Sequence, residues 1–249
     1  MKAPIINRSI PLSGAYNVRD LGDYPTRDGQ RTQHNRVLRA DSLHRLTDAD
    51  QQKLRDLGLN LVIDLRRADE VDRQPNVFAA STQVQYRHLS LFGDPSANPR
   101  TNQMPKMPDS LFEVYRGLLD GAQAAFREVF LQLASHHEGA VLVHCTAGKD
   151  RTGLVVALLL DAAGVPGEFI VEDYTRTGEL ITPLLDDLRA HRPPFFSVEQ
   201  YERLLTSAPE DMVRTLNHLQ SHYGGAQGYL GTIGLGRESI QHISRMLLD

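Results

Sequence analysis

The chain has 249 residues, of which 41% are apolar and 23% charged, and its formal net charge is −4. This composition is ordinary for a soluble globular protein and excludes a global basic field for nucleic acid or an anionic membrane. The single cysteine, Cys145, excludes internal disulfides and accords with a reducing compartment. No apolar run is long enough to cross a bilayer, and the N-terminus has no apolar signal region. We therefore expect a cytoplasmic protein without an integral membrane segment, although unconventional secretion would leave no mark in the sequence.

The first ninety residues predict a β-α-β unit with a further strand. Three segments have the pattern of strands: residues 36–40, 59–65 and 84–89. Between the first two, residues 47–58 predict a helix with Thr47 as its N-cap and Gly58 at its end. Residues 69–73 are interpreted as a short solvated helical turn. The polar cluster at 17–22 is interpreted as a loop joined to the core by an Arg–Asp pair.

The remainder of the chain is mainly helical by its pattern. Residues 92–109 form a proline-rich connection, which is a candidate rim or lid of a site. Helices are expected at 110–120, 122–136, 166–177, 182–191, 197–206, 209–223 and 237–248. The apolar cluster within 195–205 is either a core contact or the underside of a helical lid. We interpret the chain as one domain, 1–249, with a candidate lid at about 193–224.

The chain is organised around residues 141–153. This segment begins as a β-branched apolar run that predicts a buried strand, and the apolar run at 154–160 after it predicts a buried helix. The turn between them contains Cys145, with Arg151 following after five residues. Backbone N–H groups at such a turn and at a helix N-terminus stabilise an anion, and therefore also a thiolate. Arg151 can hold two phosphate oxygens at once, so the segment predicts a phosphate-binding loop with a cysteine nucleophile.

Other loop residues are assigned to substrate binding: His144, Thr146, Ala147, Gly148, Lys149 and Thr152. Gly148 permits a tight backbone that turns amides inward. Thr152 can place a hydroxyl near the sulfur, and His144 can orient the loop through its ring. Lys149 adds a second positive charge, which would favour multiply charged substrates such as phosphoinositides. The alternative interpretation of Lys149 is a surface lysine paired with a neighbouring acid.

The run His144-Cys145-x5-Arg151-Thr152 resembles the signature of the cysteine-dependent protein tyrosine phosphatases. Residues 147–153 are similar to a bacterial branch, the tyrosine/lipid phosphatases typified by mycobacterial protein tyrosine phosphatase B. Shorter matches to the same branch lie elsewhere: Asn17-x-Arg19-Asp20-Leu21-Gly22, Asp64-Leu65-Arg66, and Tyr223-Gly224 before Tyr229-Leu230. The resemblance spans most of the chain.

This resemblance implies an α/β fold of the protein tyrosine phosphatase type, with three layers, a central mostly parallel sheet and a helical C-terminal half that can carry a lid. It implies catalysis without metal or other cofactor. The implied substrate is a phosphotyrosine protein, sometimes a phosphoserine or phosphothreonine protein, or a phosphoinositide. From the residues themselves, the spacing of His136, His137 and Glu138 is wrong for a helical zinc pair and indicates a helix end.

Three positions compete for the role of general acid. Asp150 lies in the loop and can face the leaving oxygen, or it is only an acid at a helix start. Asp64 ends a predicted central strand, at the edge where α/β sites form, or it pairs with Arg66 or Arg67. An acid on the proline-rich connection, Asp94 or Asp109, is the third possibility. The resemblance favours Asp150, with Asp64 as a supporting acid.

Two other functions use the same loop and stay open at the level of sequence. A sulfurtransferase or arsenate reductase also places a cysteine in an anion cradle, although arsenate reduction generally recruits further thiols and this chain has one. A non-catalytic module would bind phosphoproteins or lipids without turnover. The intact Cys145 and Arg151 favour hydrolysis. The sequence does not indicate an oligomeric state.

Overall fold

The structure, a computed structural model, describes residues 8–91, 110–192 and 196–248. At its centre lies one sheet whose strands are β1 (Arg19–Asp20), β2 (Val37–Ala40), β3 (Leu59–Asp64), β4 (Gln85–His88) and β5 (Ala140–His144). The strand order is β1-β2-β5-β3-β4. β1 pairs antiparallel with β2, and the other neighbours pair in parallel. The predicted mostly parallel sheet is confirmed.

Helices account for most of the remaining described residues. They are α1 (Asp48–Asp56), α2 (Ala68–Arg73), α3 (Leu111–Gly121), α4 (Gln123–Ala134), α5 (Asp150–Ala162), α6 (Gly167–Leu180), α7 (Leu185–Ala190), α8 (Val198–Leu205), α9 (Pro209–Tyr223), α10 (Ala226–Thr232) and α11 (Arg237–Arg245). A 3₁₀ turn, Thr182–Leu184, precedes α7. Within the described ranges, no helix combines the length and apolar character that a membrane crossing requires.

The predicted β-α-β unit is confirmed in β2, α1 and β3. The helix α1 begins at its predicted cap, because the Thr47 hydroxyl accepts from the Asp50 N–H while the Asp50 carboxylate accepts from the Thr47 N–H. However, β2 and β3 are not neighbours, since β5 inserts between them. That insertion makes β5 the central strand, and all its residues are buried.

Two apolar clusters lie on opposite faces of the sheet and give the fold its three layers. The larger cluster takes Val141 and Val143 from β5 together with nearly all of α5. The smaller takes Leu142 from β5 and Leu54 from α1. Alternate residues of β5 therefore face opposite layers, as the pleat of a strand requires. Because residues 154–160 of α5 are all apolar, this part of the helix is buried on every side.

The helical C-terminal half is confirmed, with two local differences. The predicted helix at 182–191 divides into the 3₁₀ turn and α7. The helix α10 was not predicted, because glycines lower helix propensity and hide its pattern. Gly228 in α10 is required by close packing, since a Cβ there would lie 1.7 Å from the Tyr223 carbonyl oxygen.

The candidate lid, at about 193–224, contains two helices that differ in burial. Residues 92–109 and 193–195, which belong to the predicted rim and lid, lie outside the described residues. The helix α9 packs into the larger cluster through Met212 and Leu219, so it is part of the core. By contrast, no residue of α8 is fully buried. The lid therefore stays a prediction, with α8 as its less buried part.

Candidate active site

The predicted phosphate-binding loop lies at the carboxyl end of the central strand. Strand β5 ends at His144 and helix α5 begins at Asp150, so the buried Cys145 occupies the first position of the loop. Ligand sites of open parallel sheets form outside this edge. Arg151 lies in the first turn of α5, where the helix has unsatisfied N–H groups. The local order of strand, loop and helix is as predicted.

The loop backbone is held from outside by side chains of distant segments. Gly148 has a φ of +65°, and a Cβ there would lie 2.3 Å from the Ala40 carbonyl oxygen, so only glycine fits. The Asn17 amide donates to the Ala147 and Gly148 carbonyls at 2.8 and 3.2 Å, and Arg39 Nη2 donates to the Gly148 carbonyl at 2.6 Å. Since C=O and N–H point in opposite directions across a trans peptide, these contacts turn the following amides away from the supports and into the loop.

A buried ionic cluster fixes Arg39. Asp173 of α6 accepts from Arg39, from Arg19 Nε at 3.2 Å and from the Tyr24 hydroxyl at 3.0 Å. Burial alone would raise the pKa of Asp173, but the charges of Arg39 and Arg19 outweigh it and hold that pKa well below its usual range. The predicted Arg–Asp pair of the polar cluster is thus present, with Asp173 as the acid. The cluster connects β1, β2 and α6 to the back of the loop.

Glu70 was not predicted as a site residue, yet it holds the loop arginine. Nη1 and Nη2 of Arg151 donate to its two carboxylate oxygens at 2.6 and 2.9 Å, and the Thr146 hydroxyl also contacts it. Burial tends to raise the pKa of Glu70, but the hydrogen bond and charge of Arg151 lower it to about 2. Burial also tends to lower the pKa of Arg151, but Cys145 and Glu70 raise it above its ordinary value. The guanidinium is therefore charged and oriented by a bidentate partner.

Lys149 is buried, with 2% of its surface exposed, so it is not a surface lysine, although the pairing with a neighbouring acid is present. Its Nζ donates to the carbonyl oxygens of Leu204 and Thr206, the latter at 2.7 Å, and lies 3.3 Å from Asp150 Oδ1. Leu204 belongs to the last turn of α8, whose carbonyls have no partner within the helix. A cation of the loop thus binds the C-terminal end of the candidate lid.

Asp64 is fully buried and forms an ion pair with Arg66, which is the alternative to a catalytic role that the sequence left open. Its carboxylate accepts from Arg66 Nη2 at 2.7 Å and from the Tyr86 hydroxyl at 3.0 Å, and it lies 3.4 Å from His144 Nε2. Burial acts to raise the pKa of Asp64, but His144 and Arg66 lower it far below its usual range. An acid held ionised in this way is a poor proton donor. Its contacts orient His144, whose Nε2 also contacts the Asn76 amide at 2.8 Å.

Asp150 has the exposure that a general acid needs. Its side chain is 34% exposed, and it lies in the first turn of α5. Its Oδ1 accepts from the hydroxyl of Tyr115, on α3, at 2.5 Å. The other candidates on the chain's proline-rich connection, Asp94 and Asp109, lie outside the described residues. Among the described candidates, the geometry favours Asp150.

Thr152 carries a hydroxyl with unused hydrogen-bonding capacity. Its Oγ1 is buried and has no hydrogen-bond partner among the residues described. A buried hydroxyl without a partner costs stability and calls for a functional reason. The described structure has no hydrogen bond from this hydroxyl to the Cys145 sulfur, so the predicted interaction of Thr152 with the sulfur stays a prediction. Within the same residues, no group of three or more His, Cys, Asp or Glu side chains is arranged to hold a metal ion.

The fold is a three-layer α/β fold. A buried cysteine follows its central strand and an arginine lies in the next helix, which is the arrangement of an α/β enzyme that acts on phosphate esters. The sequence model described as "Tyrosine phosphatase family" matches residues 10–249. A tyrosine-protein phosphatase of Nostoc commune is 39% identical over 218 residues, which cover 83% of this chain and 72% of that protein. The triple specificity protein phosphatase PtpB of Mycobacterium tuberculosis is 28% identical over 277 residues, covering 95% of this chain and 98% of that protein. The chain belongs to the tyrosine phosphatase family and is a protein-tyrosine phosphatase, a hydrolase of phosphoric monoesters.

Proposed function

We propose that the enzyme works in two steps through a phosphocysteine at Cys145. In the first step the sulfur forms a bond to phosphorus while the bond to the leaving oxygen breaks, and Asp150 gives that oxygen its proton. In the second step water cleaves the S–P bond and releases inorganic phosphate. The observation that carries this proposal is the bidentate hold of Glu70 on Arg151 beside Cys145, because a charged and oriented fork stabilises the equatorial oxygens in both steps.

The proposed substrates are phosphotyrosine proteins, with phosphoserine, phosphothreonine and phosphoinositides as further candidates. The name of the PtpB relative describes triple specificity, and the loop of this chain contains a second cation, Lys149. In the described conformation, Lys149 Nζ is bound to the carbonyls of Leu204 and Thr206. A second substrate phosphate that contacts Lys149 would have to replace those carbonyls, so this contact would require the C-terminal end of α8 to move. The single cysteine accords with work in a reducing compartment such as the cytoplasm.

A turnover panel tests this proposal. We expect a phosphotyrosine peptide to be hydrolysed with the highest kcat/KM, followed by a phosphoserine peptide and phosphoinositide vesicles, with phosphate release as the common measurement. Thiosulfate and arsenate, assayed beside them, should give no turnover. Tight binding of the phosphopeptide without release of phosphate would instead show a binding module, and faster phosphoinositide hydrolysis would make the lipid the main substrate.

The assignment of the acid predicts a dependence on the leaving group. Asp150→Asn should lower kcat/KM by about 10²–10⁴-fold for phenyl phosphate, a poor leaving group, and by much less for p-nitrophenyl phosphate. Asp64→Asn is the comparison, because it leaves the buried Arg66 without its charged partner. That variant should lower both rates in equal proportion and reduce the midpoint of thermal unfolding. A larger leaving-group effect in Asp64→Asn than in Asp150→Asn would reverse the assignment.

A further inference from the structure

The carboxylate of Asp150 is held asymmetrically by its neighbours. Its Oδ1 accepts from the Tyr115 hydroxyl at 2.5 Å and lies 3.3 Å from Lys149 Nζ. Tyr115 is fully buried on α3, and its hydroxyl also contacts the Tyr174 hydroxyl, on α6, at 2.7 Å. The two rings meet edge to face, with centroids 6.0 Å apart. A chain of three hydrogen-bonding groups therefore ends on one oxygen of the proposed acid.

The direction of these hydrogen bonds follows from the chemistry of the groups. Burial, and then the charge of Asp150, raises the pKa of Tyr115 and of Tyr174 well above the usual range, so both hydroxyls keep their protons. Oδ1 of Asp150 accepts from the Tyr115 hydroxyl, which has a single proton to donate. The oxygen of Tyr115 is then the acceptor for Tyr174. The chain runs from Tyr174 through Tyr115 to Oδ1.

We infer that Tyr115 is a positioning residue for the acid: it occupies Oδ1, so that Oδ2 carries the catalytic proton. This inference rests on the proposed role of Asp150. An oxygen that already accepts from a hydroxyl and faces an ammonium group is the less basic of the two, so protonation takes place at Oδ2. As the bond between phosphorus and the leaving oxygen breaks, that oxygen takes the bond's electron pair and the proton from Oδ2. Asp150 is left as a carboxylate, still hydrogen-bonded through Oδ1.

The same contact limits the rotation of the acid. A first-turn aspartate that is one-third exposed would otherwise sample several side-chain rotamers, and few of them aim a proton at the leaving oxygen. Tyr115 itself is immobilised by burial and by Tyr174. Its hydroxyl therefore fixes the Asp150 side chain relative to α3 and α6. A ring that served only for packing would need no hydroxyl at this point.

Removal of this hydroxyl tests the inference. Tyr115→Phe should lower kcat/KM for phenyl phosphate by about tenfold, because a hydrogen bond to a charged group is lost, and for p-nitrophenyl phosphate by less than about threefold. Tyr229→Phe is the matched control, since Tyr229 is equally buried but donates to the Leu119 carbonyl in the core at 2.9 Å. It should change neither rate. Tyr174→Phe keeps the bond from Tyr115 to Asp150 and should cause a smaller loss, about threefold, again only on phenyl phosphate.

A double variant separates positioning from a general structural role. In the Asp150→Asn background, Tyr115→Phe should add less than about a twofold loss, because the two residues act on one proton. Equal losses on both substrates, or a full additional loss in the double variant, would overturn the inference. If Tyr115→Phe fails to fold, Tyr174→Phe provides the test. An unchanged ratio of its rates on phenyl phosphate and p-nitrophenyl phosphate would also overturn the inference. If Asp150→Asn lowers the rates on both substrates equally, Asp150 is not the general acid. The Asp150→Asn variant alone shows that failure, without any Tyr115 variant.

Discussion

Replacement of Cys145 by serine is expected to abolish hydrolysis of p-nitrophenyl phosphate, with kcat falling by at least about 10⁴-fold. A serine hydroxyl is a much weaker nucleophile than a cysteine sulfur in an anion-binding loop at a helix N-terminus. The substitution removes the nucleophile and leaves Arg151 and the loop backbone in place. Initial rates with saturating p-nitrophenyl phosphate measure the effect directly.

The control for this variant is anion binding. Because Cys145→Ser keeps the amides and the guanidinium, inorganic phosphate should bind with an affinity within a few fold of the wild-type value, as measured by calorimetry. Cys145 is buried in the larger apolar cluster, so the thermal midpoint should be recorded for both proteins. Retained phosphate binding without turnover would show that the sulfur acts as the nucleophile and is not needed for phosphate binding. A residual kcat within tenfold of wild type would rule out the phosphocysteine route.

The strand, loop and helix of the site were predictable because their signals are local. A β-branched run, a tight turn and an apolar helix follow one another within residues 141–160, and each is determined by neighbours a few positions away. The N-cap at Thr47 is predictable for the same reason, since a capping box spans only three residues. Cys145 and Arg151 could therefore be proposed as nucleophile and phosphate clamp before any contact was known.

The supports of the loop were not predictable because their partners are distant in sequence. The contact from Asn17 to Ala147 joins residues 130 positions apart, and that from Arg39 to Gly148 joins residues 109 apart. Glu70 illustrates the same limit. Its position in a short, charged turn indicates a solvated surface, and only the insertion of β5 between β2 and β3 brings α2 to the loop.

The burial of Lys149 was not predictable for a related reason. A lysine beside an aspartate in a loop is usually a solvated charge, and in sequence nothing distinguishes it from one. Its burial depends on the carbonyls at the end of α8, which are provided by a helix more than fifty residues later. Backbone acceptors leave no mark in the sequence, because every residue carries one.

Replacement of Arg151 by lysine is expected to lower kcat/KM for p-nitrophenyl phosphate by about 10³-fold. Lysine keeps the positive charge but has a single, flexible donor group, so it cannot hold two phosphate oxygens in fixed geometry. It also gives up the bidentate hold of Glu70, and the remaining ammonium becomes free to follow either carboxylate oxygen. The loss in kcat/KM should therefore be large even though the positive charge is retained. Steady-state kinetics with the same substrate provides the measurement.

Glu70→Gln separates the two consequences of that change. Arg151 keeps its guanidinium in this variant, but one carboxylate partner becomes a neutral amide, so only the orientation of the fork is weakened. We expect a loss of about tenfold in kcat/KM, well short of the loss in Arg151→Lys. If the two variants lost activity equally, orientation by Glu70 would account for the whole effect and the bidentate contact with phosphate for none of it. An Arg151→Lys enzyme within tenfold of wild type would remove Arg151 from transition-state stabilisation altogether.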